Sequence, residues 1–166
     1  MSELDNIRPR RWQRVIDLVQ ATGINTSDWA NCIGGKEKAA SNPKYCYNWV
    51  FIEPQRKLVV LCLWFENMQE RDGAIMQVLN PRESARYSNH AVARHRALDM
   101  DRAIQMAFGD KLPIRVVILN GKRRDRDDPN AECSHVEKRL LDEVSWAVTT
   151  YNSNTGECTL TRDAPR

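Results

Sequence analysis

The feature that most constrains the fold is the run from Leu58 to Phe65, which is apolar at consecutive rather than alternate positions. Apolar side chains on both faces are typical of an interior strand in a sheet that is covered on both sides. Residues 45–52, rich in aromatic and β-branched types, precede this run, and the proline-containing segment 53–56 separates the two as a turn. The sequence therefore predicts that residues 58–65 form an interior strand paired with residues 45–52.

Helical periodicity appears on both sides of this hairpin. Residues 9–22 carry apolar side chains at helical spacing, including Trp12, and Gly23 ends the pattern. A stronger helical pattern covers residues 81–110, and Gly109 is expected to stop it.

Further strands are predicted downstream, and residues 74–80 fit a strand or a helix equally well. The predicted downstream strands are 114–120 and the hairpin of 146–151 with 158–161, and a short segment around Leu140 leads into that hairpin. The fold class that follows is α+β, with a mainly antiparallel sheet of about five strands, an N-terminal helix and a long middle helix. A chain of 166 residues is most simply a single domain, residues 1–166.

Bulk composition narrows the classes of function. The net charge is only +3, so any surface for nucleic acid must come from local clustering of basic residues. The polar start and the shortness of the longest apolar run predict neither a signal peptide nor a membrane span, which favours the cytoplasm. Five cysteines without a Cys-x-x-Cys spacing are typical of reduced thiols, and Cys133 with His135 more simply belongs to an ordinary loop than to a metal site.

The segment from Gly34 to Trp49 combines glycines and lysines with an aromatic alternation. Free backbone amides, flexible cations and flat rings suit a ligand that carries phosphates and bases. The glycines lack the spacing of a nucleotide-binding P-loop, so a phosphate backbone is the better match. Together with two arginine clusters, this segment supplies the candidate DNA-binding residues. They are Arg10, Arg11, Arg14, Lys36, Lys38, Ser41, Asn42, Lys44, Tyr45, Tyr47, Trp49, Arg123 and Arg124.

Each candidate also has a plainer interpretation. The lysine loop could be a solvated turn, and an aromatic stripe on a strand is more often core than a stacking platform, above all for Trp49. The basic residues of segment 122–126 alternate with Asp125, Asp127 and Asp128, which favours a solvated loop. Arg94, His95 and Arg96 on the long helix form a third basic candidate.

Catalysis is not indicated by any recognisable pattern. The three histidines fit no nucleophile–base arrangement, and no spacing of metal ligands is visible. Glu66, Glu70, Asp72 and Glu83 leave open a small metal-dependent nuclease, although surface elements commonly carry this many acids. The sequence predicts no enzyme, no metal and no cofactor for this chain.

Several motifs together resemble a known family. The motifs are Arg11-Trp12, Asp28-Trp29-Ala30-Asn31, Gly34-Gly35, Asn42 to Trp49, Leu63-Trp64, Leu112 to Val116, Lys138 to Asp142 and Trp146-Ala147-Val148. They resemble the N-terminal region of bacterial McrA-like HNH endonucleases, which are modification-dependent restriction proteins. The resemblance covers about residues 12–162, and its most specific piece is Asn42 to Trp49.

The resemblance implies a recognition domain whose nuclease module lies C-terminal to it in the full-length protein. The expected partner is duplex DNA carrying methylated or hydroxymethylated cytosine or a phosphorothioate backbone, in a restriction system that acts in phage defence. Whether the chain forms a homodimer is left open. The alternatives from the residues themselves are a protein-interaction or structural domain and the small metal-dependent nuclease.

Overall fold

The computed structural model describes residues 2–55, 57–124 and 134–165. Part of the predicted charged loop lies outside these residues, namely Arg126 with Asp125, Asp127 and Asp128, and so does Cys133. None of the helices in the described ranges is both long and apolar enough to cross a membrane.

The described strands form one mixed sheet. They are β1 (Val50–Ile52), β2 (Val59–Trp64), β3 (Gln69–Arg71), β4 (Ala74–Leu79), β5 (Ile114–Lys122), β6 (His135–Leu141), β7 (Trp146–Tyr151) and β8 (Cys158–Arg162). Their spatial order is β1-β2-β5-β7-β8-β4-β3, and β6 pairs with the second half of β5. The segment 74–80, which fitted a strand or a helix, is therefore a strand over Ala74–Leu79, and Asn80 caps the helix that follows.

The α+β class is confirmed, but the predicted sheet was too small and too uniform. Within the described residues the sheet has eight strands, and β2 and β5 are parallel, in register from Val59 beside Ile114 to Trp64 beside Leu119. Parallel neighbours need a long crossover, which the helices between them provide. The hairpin of β7 and β8 is antiparallel, as predicted.

Four α-helices lie in the described ranges: α1 (Glu3–Asn6), α2 (Val15–Ala21), α3 (Pro81–Tyr87) and α4 (Ala91–Asp110). The N-terminal helix was predicted from residue 9, but α2 begins only at Val15, so Trp12 lies outside it. The long middle helix is confirmed as α4, preceded by a break after Tyr87. Gly109 does not stop α4; the helix ends where Lys111 adopts a left-handed conformation with φ 53°.

The sheet is covered on both faces, which confirms the prediction of an interior strand at β2. Val59, Leu61 and Leu63 pack with α4 in one core, whereas Val60 packs with α2 and Trp29 in the other. These four residues of β2 are at most 2% exposed. Burying a Val or Leu side chain fully contributes roughly 1.5–3 kcal/mol, so β2 anchors both layers.

The predicted strand over residues 45–52 is only half correct. Val50–Ile52 pairs with β2, but residues 43–47 form turns, so Tyr45, Tyr47 and Trp49 do not share a strand face. The turn is closed by backbone hydrogen bonds from Tyr45 N and Cys46 N to Asn42 O, both 3.0 Å. Each of these aromatic side chains therefore has its own environment.

Candidate nucleic-acid interface

Tyr45 and Asn42 have structural roles in the turn before β1. The Tyr45 ring stacks on Trp29 with centroids 5.3 Å apart and an interplanar angle of 12°. The Asn42 side chain is 6% exposed; its Nδ2 donates to Trp29 O at 2.9 Å, and its Oδ1 accepts from Lys44 N at 3.0 Å. Asn42 thus has no free edge for a base, and one face of Tyr45 is already occupied.

The glycine–lysine segment is an ordered 3-10 helix, Gly35–Ser41, rather than an open loop. Gly34 precedes it at φ 99°, where any Cβ would collide with the Lys38 side chain. Lys36 and Lys38 are exposed, while Ser41 Oγ donates to Lys38 O at 3.2 Å. The Lys44 ammonium lies 5.4 Å from the Tyr45 ring centroid. Cations are present here, but in the described part of the chain neither Lys36 nor Lys38 lies over an aromatic ring.

The arginines of the two predicted clusters differ in whether a carboxylate lies beside them. Arg14 forms a bidentate pair with Asp17, at 2.8 and 2.9 Å, and this pair lowers the pKa of Asp17. Arg123 lies 3.9 Å from Glu66. Arg10 and Arg11 are exposed and take part in no ion pair among the described residues.

Arg124 is half-buried, and its described hydrogen bond is a backbone one, from its N to Ser134 Oγ at 2.7 Å. Trp49 is half-buried against the α4-side core, which favours its plainer interpretation.

Tyr47 is the exposed aromatic side chain of the turn. Its ring is 61% exposed, and the Arg96 guanidinium of α4 lies 5.6 Å from the ring centroid. Arg96 belongs to the third basic candidate, and it enters no ion pair within the described ranges, unlike its neighbour His95, which is 3.2 Å from Asp99. A cation beside an open ring is a combination that nucleic-acid surfaces use for stacking.

Arg139 joins β6 to the N-terminal segment. Its backbone N donates to Arg11 O at 3.1 Å, and Gln13 Nε2 donates to its carbonyl at 3.0 Å. The guanidinium Nη1 donates to Gln13 O at 3.0 Å. Residues 11–13 therefore run along the free edge of β6, and Trp12 within them is 67% exposed.

Arg139 influences the pKa of two thiols, Cys46 in the turn and Cys62 on β2. Burial raises the pKa of the Cys46 thiol, and Arg139 and Arg96 both oppose that shift. Burial also raises the pKa of Cys62 to about 12, again opposed by Arg139. In turn, burial lowers the pKa of Arg139. We call the following exposed or half-buried residues the arginine–aromatic surface: Arg10, Arg11, Trp12, Tyr47, Arg96 and Arg139.

The four acids of the nuclease alternative are dispersed. Glu66 lies beside Arg123, Glu70 accepts from Leu4 N at 3.4 Å, Asp72 lies in the β3–β4 turn, and Glu83 is in the first turn of α3. Within residues 2–55, 57–124 and 134–165, no three His, Cys, Asp or Glu side chains are grouped so as to hold a metal ion.

Two buried carboxylates, Asp142 and Asp101, are the centres of hydrogen-bond networks. Asp142 accepts from Trp146 Nε1 at 2.8 Å and from Arg162 at 2.7 and 3.1 Å. Asp101 accepts from Tyr151 Oη at 2.7 Å and lies 3.4 Å from Arg82. Each acid is matched by donors, so these clusters fix strands and helices to one another.

Sequence reasoning missed Trp12 and Arg139 as surface residues. Trp12 fitted the apolar positions of a helix predicted from residue 9, whereas α2 begins only at Val15. Pro9 and the two arginines that follow it were the sequence features that argued against the earlier start. Arg139 had no distinguishing signal, because a basic residue on a strand is usually solvent-facing. Comparison with protein-family models, with curated proteins and with solved structures finds no match to this chain.

Proposed function

We propose that this chain binds duplex DNA through the arginine–aromatic surface. The observation that carries the proposal is the exposed Tyr47 ring, whose centroid lies 5.6 Å from the Arg96 guanidinium. Arg10 and Arg11 add two exposed cations that form no ion pair within the described residues. Arginines displace counterions from phosphates, and an exposed ring stacks on bases whatever their sequence.

The proposal extends to a role in modification-dependent restriction. The resemblance to the N-terminal region of McrA-like HNH endonucleases supports reading of modified DNA, in the cytoplasm and as part of phage defence, with cleavage supplied by a separate nuclease module. Methylated or hydroxymethylated cytosine and phosphorothioate are the modifications to test. A homodimer is compatible with this role, and sedimentation with and without duplex would reveal one.

Binding to matched duplexes tests the proposal directly. Unmodified, 5-methylcytosine, 5-hydroxymethylcytosine and phosphorothioate duplexes are titrated by fluorescence anisotropy at several salt concentrations. We expect the affinity to fall steeply with salt, and Arg10→Ala with Arg11→Ala to flatten the slope by about 0.9 per lost phosphate contact. Arg14→Ala is the matched control, because Arg14 is already paired with Asp17.

Tyr47→Ala tests the aromatic part. Loss of a stacked base lowers affinity by about 1–3 kcal/mol. Phe108→Ala is the control, since it lies twelve residues beyond Arg96 on α4, about 18 Å away at 1.5 Å per residue. Binding that is absent or independent of salt would contradict the proposal and favour a protein-interaction domain. Equal affinity for all four duplexes would refute the recognition of modified DNA but would leave the proposal of DNA binding intact.

A further inference from the structure

Ile33 is the most exposed large apolar residue in the described part of the chain. It is 100% exposed, whereas the next highest value, that of Trp12, is 67%. Partly exposed apolar residues are common on protein surfaces, but a residue that is fully exposed contributes no burial to the core. The whole Ile33 side chain is therefore available to a partner.

The turn that carries Ile33 is fixed by its backbone. Gly35 N donates to Cys32 O at 3.1 Å, which closes a turn with Ile33 and Gly34 at its centre. Gly34 has φ 99° and ψ −8°, the conformation that the second central residue of a type II turn requires. Glycine adopts this conformation without strain, so the sequence itself favours the turn that exposes Ile33.

The two 3-10 helices beside this turn anchor it to the rest of the fold. Ser27–Ala30 precedes the turn, and Gly35–Ser41 follows it. Trp29 in the first helix and Ala39 in the second are buried in the core on the α2 side of the sheet. A turn that is held at both ends does not have to be ordered when a partner binds, which lowers the entropic cost of binding.

Cations accompany the apolar tip of the turn. The Lys38 side chain lies so close to Gly34 that a Cβ at that glycine would collide with its Cγ, so the stem of Lys38 packs against the turn itself. Lys36 follows Ile33 by three residues and is exposed. Neither lysine forms an ion pair within residues 2–55, 57–124 and 134–165, although the exposed Glu37 between them offsets part of their charge. An apolar side chain next to cations suits a partner that carries apolar surface beside negative charges.

We propose that Ile33 is a wedge that inserts between two base pairs from the minor groove of duplex DNA and bends it, while Lys36 and Lys38 contact neighbouring phosphates. Proteins that bend DNA from the minor groove frequently insert an apolar side chain, isoleucine included, into a base step. The inference rests on the proposed function and adds a preferred substrate, a duplex with an easily unstacked pyrimidine–purine step. A membrane surface fits less well, because stable anchoring there needs far more apolar area than one isoleucine offers.

Ile33→Ala tests the wedge in the whole chain. Because Ile33 is fully exposed, this substitution should leave the urea midpoint unchanged, so that a change in binding does not reflect a change in folding. Val78→Ala is the matched control, since Val78 is 51% exposed on β4, which β7 and β8 separate from β5 in the sheet. The probes are a duplex with a central TA step, a duplex with a central A-tract, and vesicles of phosphatidylserine and phosphatidylcholine.

Energy transfer between dyes at the two ends of each duplex reports bending. We expect the wild type and Val78→Ala to bend the TA duplex by roughly 20–90° and to bind it more tightly than the A-tract duplex. Ile33→Ala should bind the TA duplex about tenfold more weakly and leave it straight, because the apolar contact with the base step is lost.

The outcomes separate the wedge from the proposed function. Wild-type binding without bending, or an Ile33→Ala variant that binds and bends the TA duplex as the wild type does, would refute the wedge and leave the proposed function standing. A wild type that binds neither duplex would refute both. Vesicle binding that Ile33→Ala abolishes, with DNA binding unchanged, would refute the wedge and assign Ile33 to a membrane surface.

Discussion

Substitution of Asn42 distinguishes a structural role of the turn from a role in reading DNA. Asn42→Ala removes a donor to Trp29 O, in a buried bond of 2.9 Å, and an acceptor for Lys44 N at 3.0 Å. Leaving a buried carbonyl unpaired costs about 1–3 kcal/mol, and losing the more exposed second bond about 0.5–1 kcal/mol. We expect the free energy of unfolding to fall by about 1.5–4 kcal/mol, a large part of the roughly 5–15 kcal/mol of a typical domain.

Asn42→Asp adds a pH signature. Its new carboxyl is buried opposite the Trp29 carbonyl, so its pKa in the folded state is raised above the unfolded value of about 3.9. When protonated it donates to that carbonyl as the amide does. Its contribution is therefore present below about pH 4 and is lost as pH rises, so the destabilisation grows towards neutral pH.

Urea unfolding followed by tryptophan fluorescence at several pH values measures both effects. Ser41→Ala is the control, since its hydroxyl makes an exposed bond of 3.2 Å to Lys38 O and a change below about 0.5 kcal/mol is expected. An Asn42→Ala variant with unchanged stability but lost DNA binding would refute the structural role and restore Asn42 as a reader of base edges.

Three further predictions concern the buried networks and thiols. Asp142→Asn leaves Arg162 without its bidentate partner and should lower the free energy of unfolding by about 3–5 kcal/mol in urea, while exposed Glu143→Gln changes little. Cys62 and Cys158, whose pKa burial raises to about 12, should resist alkylation in the native chain at mildly alkaline pH; peptide mapping that finds them modified as fast as in urea would contradict this. Burial and Asp101 raise the pKa of Tyr151 to about 12, so its hydroxyl stabilises the fold below about pH 10 and ceases to do so as pH rises towards 12. Tyr151→Phe should therefore lower the free energy of unfolding at neutral pH by about 1–3 kcal/mol. Above about pH 10 the difference in this free energy between the variant and the wild type should become smaller.

The sequence was informative where one physical effect dominates. The two-sided apolar run at β2 could only be buried between two layers, and the β7–β8 turn carries its own Asn and Gly signals. The aromatic alternation at 45–49 misled because the same pattern serves a turn in which Tyr45 stacks on Trp29, a contact between positions sixteen residues apart. Such tertiary stacking leaves no periodic trace in the sequence.

The candidate surface depended on a contact that no local pattern encodes. Arg139 becomes half-buried because residues 11–13 lie along the edge of β6, more than a hundred residues away in the chain. The late start of α2 makes that segment extended and also leaves Trp12 at the surface. One misplaced helix start therefore concealed both residues.

A net charge of only +3 is compatible with a DNA-binding surface because the charges are unevenly paired. Acids are matched to arginines elsewhere: Asp17 with Arg14, Asp99 with Arg102, Asp101 with Arg82, and Asp142 with Arg162. Within the described part of the chain no carboxylate is paired with Arg10, Arg11, Arg96 or Arg139. Phosphate contacts respond to this local excess within about one Debye length, roughly 8–10 Å, rather than to the total charge. Neutralising the paired arginines should accordingly leave the salt dependence of binding nearly unchanged, whereas neutralising the four unpaired ones should abolish most of it.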